Sequence, residues 1–160
     1  MMNDVSYKFI GIIKTPFNSK EGMPIQPTGA KGIKGFIEIN PEFVEGLKDL
    51  DGFSHIILIY HFHKVSNYEL TVKPFMDDQM HGVLSTRAPK RPNPIGLSVV
   101  KLIKLEGNIL HVENIDVLNG TPLLDIKPLI PDVDFAEVDK LGWLEGKSNK
   151  MGDKKADNRF

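Results

Sequence analysis

The chain has 160 residues, 41% apolar and 26% charged, with a net charge of −1 and no cysteine. Those values describe an ordinary folded globule of about one domain, and they exclude disulfides, thiolate metal ligands and a cysteine nucleophile. They also exclude a protein that coats nucleic acid by bulk positive charge, and there is no apolar run long enough for a membrane-spanning helix.

Residues Met1 to Lys8 are polar without a leader pattern, so the expected compartment is the cytoplasm. Tyr7 to Lys14 and Gly35 to Ile39 read as extended segments. Between them, residues 15–34 are rich in Pro and Gly without periodicity, as long functional loops are. Asn40-Pro41 offers an N-cap followed by proline at the first helical position, which predicts a short helix over Pro41 to Lys48. Ser54 to Phe62 is mostly apolar and is expected to be a strand buried on both faces. Glu69 to Lys73 alternates, and Val83 to Thr86 predicts a strand-like lead-in to a proline-rich loop.

Residues 97–115 read as a hairpin turning at Glu106-Gly107-Asn108, and Leu123 to Leu129 as the last strand. Asp134 is expected to cap a turn running to Asp139. The tail, residues 147–160, is polar and unpatterned, hence disordered or a docking arm, and leaves residues 1–146 as a single domain. Many short strands between turn residues predict a mainly β fold: a small closed or curled barrel-like sheet with one or two short helices.

Residues 82–97, Gly-Val-Leu-Ser-Thr-Arg-Ala-Pro-Lys-Arg-Pro-Asn-Pro-Ile-Gly-Leu, are the most informative stretch. Pro89, Pro92 and Pro94 fix φ, remove backbone donors and push the residues before them to extended geometry. The result is a stiff loop presenting Arg87, Lys90 and Arg91, where an anion would bind with little loss of entropy. From Leu84 to Leu105 these three, with Lys101 and Lys104, are five cations without an acid, a patch that would neutralise a few phosphates or simply face solvent.

His61 and His63 are two apart on a predicted strand, an arrangement that offers two imidazoles to zinc but has no fixed third ligand, so no metal is assigned. Walker A, dinucleotide and Gly-x-Ser-x-Gly patterns are absent, and Ser98 has no assigned base. Asp116, Asn119 and Asp125 with Lys127 form a second polar cluster. It is either a turn with a surface ion pair or a polar lip for a nucleoside.

Four blocks together resemble the TsaA-like (TrmO) family: Gly22-Met23-Pro24-Ile25-Gln26-Pro27; Leu50-Asp51-Gly52-Phe53-Ser54-His55 with His61-Phe62-His63-Lys64; Gly82 to Leu97; and Ile115 to Pro128. The resemblance spans roughly residues 7–131 and departs from the family at Asn119, where an acid is expected. It implies a β-barrel methyltransferase that uses S-adenosylmethionine to methylate N6 of threonylcarbamoyladenosine beside the anticodon of tRNA. It also implies pairing as a homodimer with the cofactor near the subunit interface.

Carried over by residue, Pro24, Ile25 and Gln26 form one wall of the cofactor site. His63 with Lys64 form a second, Arg87 with Leu97 a third, and Asp116, Val117, Leu118 and Asn119 close it. Arg87 is the candidate for chemistry or for holding a carboxylate. Lys90 and Arg91 would face RNA phosphates. The general base is open among Asp116, Asp125 and His63. Two rival readings use the same residues: a non-catalytic RNA-binding barrel built on the cationic loop, and a metalloenzyme built on His61 and His63.

Overall fold

The computed structural model describes residues 3–157 and 159. Its strands are β1 (Gly11–Lys14), β2 (Lys34–Ile39), β3 (His55–His61), β4 (Thr71–Val72), β5 (His81–Gly82), β6 (Ile95–Glu106), β7 (Ile109–Glu113) and β8 (Thr121–Pro128). Six of these form a closed antiparallel barrel in the order β1-β2-β7-β6-β3-β8, with β8 returning to β1, while β4 and β5 make a separate ribbon. Closure leaves no free sheet edge, the standing liability of a short open sheet.

Period-two alternation fills the barrel. Ile13, Ile37, Ile56, Leu58, Val100, Leu110 and Leu123 are inside and fully buried. Each such side chain contributes about 1.5–3 kcal/mol of burial. The expectation that Ser54 to Phe62 is buried on both faces is corrected: Ile56, Leu58 and Tyr60 are inside, whereas Ile57 and Ile59 are only half-buried. A closed barrel packs just one face of each strand.

Other boundaries shift for local reasons. β1 begins at Gly11, leaving Tyr7 exposed ahead of it. Pro41–Leu47 is helical, but as a 3-10 helix, and the Asn40 side chain makes no cap bond. Val83–Ser85 is a 3-10 turn rather than a strand, because the Ser85 and Thr86 hydroxyls donate to the Gly82 and Val83 carbonyls and close the chain on itself. The expected turn after Asp134 lies before it instead. It is α1 (Pro131–Asp134), and the Asp134 carboxylate accepts the Ile130 N–H at 2.7 Å. Proline at its first position sets where that turn starts.

Beyond α1, the chain adds two 3-10 turns, Gly142–Leu144 and Ser148–Asp153, and lies against the loops ahead of β2 and around β5. No helix among the described residues is long and apolar enough to cross a membrane.

One irregularity positions the site. Tyr60 pairs with Leu123 but Ile59 pairs with Asp125, so Leu124 is an extra residue in β8 and the strand bends there. Beside the bend, β6 presents Gly96 to the rings of Tyr60 and Phe62, which pack edge to face with centroids 5.6 Å apart. A Cβ on Gly96 would lie 2.6 Å from Tyr60 Cζ and 2.8 Å from Phe62 Cζ. Gly96→Ala is therefore expected to destabilise the protein by about 1–3 kcal/mol, an overpacking cost, as a lowered urea midpoint. An unchanged midpoint would show that the rings move aside freely.

Candidate active site at one end of the barrel

The end of β3, the starts of β6 and β8 and the segment after β7 converge at one end of the barrel. Alternation along β6 turns Leu97 outward, 49% exposed, and Ser98 inward, 1% exposed. Ser98 Oγ donates to Asp116 Oδ1 at 2.6 Å and lies 2.9 Å from the Tyr60 hydroxyl. A serine has one hydroxyl hydrogen, so with that hydrogen on Asp116 the Tyr60 hydroxyl donates to Ser98. Two hydroxyls thus point their hydrogens in relay towards one buried carboxylate.

Burial pushes the Asp116 carboxyl up to about 6, against the opposing effects of the Ser98 hydrogen bond, its own backbone N–H and the charge of Arg87. Burial, then the charge of Asp116, pushes the Tyr60 phenol up as well. The same Arg87 charge reaches Tyr60, which places the guanidinium within electrostatic range of both.

Arg87 is exposed on the proline loop, and its Nη1 donates to Gln26 Oε1 at 3.2 Å, joining two walls expected from the sequence. The loop owes its shape to more than its prolines. Arg91 Nη1 donates to the carbonyls of Thr86 at 2.9 Å and Ala88 at 3.2 Å, and the Ala88 N–H donates to Thr86 Oγ1. Arg91 is therefore half-buried and holds the loop, whereas Lys90 reaches outward to Glu69 at 3.4 Å. Pro24 is buried, with Ile25 and Gln26 half-buried beside it.

The lip over residues 116–121 is stitched to the exit of β1. Thr15 Oγ1 donates to the Val117 carbonyl at 2.7 Å, and the Thr121 hydroxyl donates to the Leu118 carbonyl at 2.7 Å. Gly120 takes φ +80°, a left-handed turn that favours glycine. Since the Thr121 hydrogen is committed to Leu118, the 3.3 Å contact from His63 Nδ1 to Thr121 Oγ1 is donated by the imidazole. Nε2 is then the acceptor. Burial, followed by the charges of Lys64 and His61, holds the His63 imidazolium below its ordinary range.

Asn119 uses both ends of its amide. Oδ1 accepts the Thr15 N–H at 3.1 Å and Nδ2 donates to Asn18 Oδ1 at 3.0 Å. A carboxylate makes the first bond but not the second. Asp125 lies apart, with its carboxylate 2.9 Å from Lys127 and about half-exposed. The cluster thus gathers Gln26, Arg87 and Asp116, with His63 and residues 117–119 along the adjoining lip. Lys64 is exposed and its charge acts on His63.

The sequence patterns give Ser98 no base and Tyr60 no role. Their signal was available: both are polar residues at inward positions of otherwise apolar strands, where a buried polar group needs a partner. A groove of about 350 Å³, lined by Lys14, Thr15, Pro16, Lys34, Gly35, Phe36 and Asn119, adjoins the lip. Among the described residues, no group of three or more His, Asp or Glu side chains is placed to hold a metal ion.

Residues 12–135 match the tRNA-methyltransferase O N-terminal domain. A probable S-adenosyl-L-methionine-binding protein of Pyrococcus abyssi is 52% identical over 156 residues, covering 98% of this chain and 85% of that protein. A rat tRNA (adenine(37)-N6)-methyltransferase is 40% identical over 134 residues, in a match that covers 78% of this chain but 31% of the rat protein. The crystal structure of TrmO from Pseudomonas aeruginosa superimposes with a TM-score of 0.74 at 38% identity, covering 88% of this chain and 63% of that one. The present chain thus spans less than two thirds of the solved bacterial structure and about a third of the mammalian enzyme. With the family match extending over residues 12–135 and the barrel shared with TrmO, the chain belongs to the tRNA-methyltransferase O N-terminal domain family.

Proposed function

We propose that this protein is an S-adenosylmethionine-dependent tRNA methyltransferase acting on N6 of a modified adenosine, threonylcarbamoyladenosine, beside the anticodon. The observation that carries the reading is the buried Asp116 carboxyl, tied to Ser98 and Tyr60 and within the field of the exposed Arg87.

The side chains gathered here suit the methyl donor's chemistry. Arg87 offers a guanidinium to a carboxylate, and the carbonyls and carboxylate of residues 116–119 accept from hydroxyl or ammonium groups. Ile25 and the outward Leu97 supply apolar surface for a base. Pro24, Gln26, His63 and Lys64 complete the walls. When bound, S-adenosylmethionine supplies a methyl group already activated by its sulfonium. The protein's task is then alignment and removal of one proton, and alignment alone is worth up to about 7–11 kcal/mol.

The N6 nitrogen of the acceptor is conjugated to a carbonyl, so its proton must leave as the N–C bond forms. Asp116, ionised above about pH 6, accepts that proton. The Ser98 and Tyr60 hydroxyls hold the carboxylate in one orientation and stabilise its charge. His63 is neutral near pH 7 with Nε2 as an acceptor, which suits it to orient the substrate. Asp125 is held at Lys127 on the outer face and has no part in the proton transfer proposed here. Lys90 exchanges its 3.4 Å contact with Glu69 for an RNA phosphate, while Arg91 fixes the loop that presents it.

Two copies pair across a surface that includes Ile95 and Leu97, which are 41% and 49% exposed on the outside of β6. The expected compartment is the cytoplasm, where tRNA and methyl donor meet.

The test is methyl transfer from labelled S-adenosylmethionine to two tRNAs, one carrying threonylcarbamoyladenosine and one with plain adenosine at that position. Methylation of the modified tRNA alone is expected. Equal labelling of both would overturn the acceptor assignment, and labelling of neither by folded protein would overturn the enzymatic reading.

A further inference from the structure

The C-terminal arm, residues 142–157 with Arg159, lies outside the 12–135 family match and touches both loops that carry the proposed cofactor walls. On one side the Gly22 N–H donates to the Ala156 carbonyl at 2.9 Å, and the Ala156 N–H donates to the Met23 carbonyl at 2.8 Å. Pro24 and Lys155 are thereby paired as in an antiparallel sheet. A Cβ on Gly29 would lie 2.6 Å from the Gly152 carbonyl oxygen, so the arm approaches the next turn of that loop as closely as glycine permits.

On the other side the Trp143 indole stacks on His81, with centroids 4.6 Å apart and planes 19° apart, and its Nε1 donates to the Ser85 carbonyl at 2.8 Å. Lys147 Nζ and His81 Nε2 each lie 2.9 Å from Asp77 Oδ2. Arg159 Nη1 donates to the Pro74 carbonyl at 2.6 Å, with its guanidinium 5.8 Å from the centre of the Phe75 ring.

We infer that this arm is a brace that positions the cofactor site, fixing the Gly22–Gln26 and Ser85–Arg87 walls against each other through contacts that touch no substrate. The walls meet at the Arg87–Gln26 hydrogen bond, three residues beyond Met23 and two beyond Ser85. A single 3.2 Å bond at an exposed guanidinium does not hold two irregular loops in register. Backbone pairing on one loop and an indole anchored to the other do so, and they reduce the ordering that ligand binding would otherwise require. Trp143, Lys147, Ala156 and Arg159 are positioning residues in this account. The arm's link to a methyl-donor site rests on the proposed function, but its bracing of the loops does not.

The experiment uses the full chain with Trp143→Ala, Lys147→Ala and Arg159→Ala combined, and Trp143→Phe as the conservative variant. Amide exchange is followed at Gly29, Ala30 and Thr86, whose N–H groups bond to the Gln26, Pro27 and Val83 carbonyls in and beside the walls, and at barrel amides as an internal control. Exchange in both walls is expected to rise about tenfold or more in the triple variant without change in the barrel, a local opening rather than global unfolding. The S-adenosylmethionine Kd is expected to rise about tenfold, equivalent to about 1.4 kcal/mol, with Trp143→Phe, which keeps a ring on His81 but loses the Nε1–H bond to Ser85, falling between wild type and the triple variant.

Unchanged wall exchange in the triple variant would overturn the brace. Faster wall exchange with an unaltered Kd would overturn its link to the cofactor site. Wild-type protein that binds no S-adenosylmethionine would instead remove the proposed function, and exchange alone would then decide the brace.

Discussion

Asp116→Asn is expected to lower the rate of methyl transfer by about 10²–10⁴-fold, the usual contribution of a positioned base, while making the protein more stable at neutral pH. The second effect follows from the first group's own titration. Asp116 titrates at about 6 in the folded protein against 3.8 for the free side chain. Between those values the folded state keeps a proton that the unfolded chain has released. The stabilisation is full below about pH 4 and is lost as pH rises through about 6, leaving a cost on the order of 3 kcal/mol at pH 7.

Asparagine accepts the same Ser98 hydrogen bond without that cost. Urea unfolding at pH 5 and pH 8 should therefore show wild type losing stability between them and the variant holding level, with kcat/KM of wild type rising through about pH 6. A variant less stable than wild type at pH 8 would mean that Asp116 is a structural anion rather than a base held at a cost.

Arg87→Ala is expected to reduce kcat/KM by about 10–150-fold, the loss that corresponds to about 1.5–3 kcal/mol for a hydrogen bond to a charged group. Arg87→Lys should recover little, because an ammonium does not reproduce a planar fork on a carboxylate. A further consequence separates this from simple loss of fold. The Arg87 charge draws the Asp116 carboxyl downward, so its removal should move the rising limb of the pH–rate profile to higher pH. An unshifted profile in a variant that still turns over would disconnect the two residues.

Much of the fold is legible in the sequence because a barrel strand is a period-two pattern between turn residues. The hairpin of residues 97–115 and the strand over 123–129 match β6, β7 and β8 to within two residues at each end for that reason. Val83–Ser85 is a turn where the pattern predicts a strand, because the Ser85 and Thr86 hydroxyls bond to local carbonyls, a competition that apolar patterning does not register. The turn ends at Asp134, where the sequence predicts a start, because Asp134 accepts from Ile130, behind it, while Pro131 opens the turn.

At the candidate site, Arg87 and Gln26 stand out in the sequence by their odd surroundings, and the structure joins them across 61 positions. Ser98 and Tyr60 were hidden because one inward hydroxyl in a strand has no spacing rule. Its partner, Asp116, lies 18 residues on, past the end of β7, where the register that pairs Lys101 with Glu113 sets it opposite Ser98. The arm was equally opaque, since its contacts are mostly to backbone and leave no apolar period.

The measurement that bears most directly on the account is calorimetric titration of S-adenosylmethionine into the wild-type protein and into Arg87→Ala. Saturable binding by wild type, weakened in Arg87→Ala with the barrel still folded, is the expected result and would put the methyl donor beside the proline loop. No binding by folded wild-type protein at millimolar ligand would contradict the account and leave the cationic loop as part of a cofactor-free RNA-binding barrel.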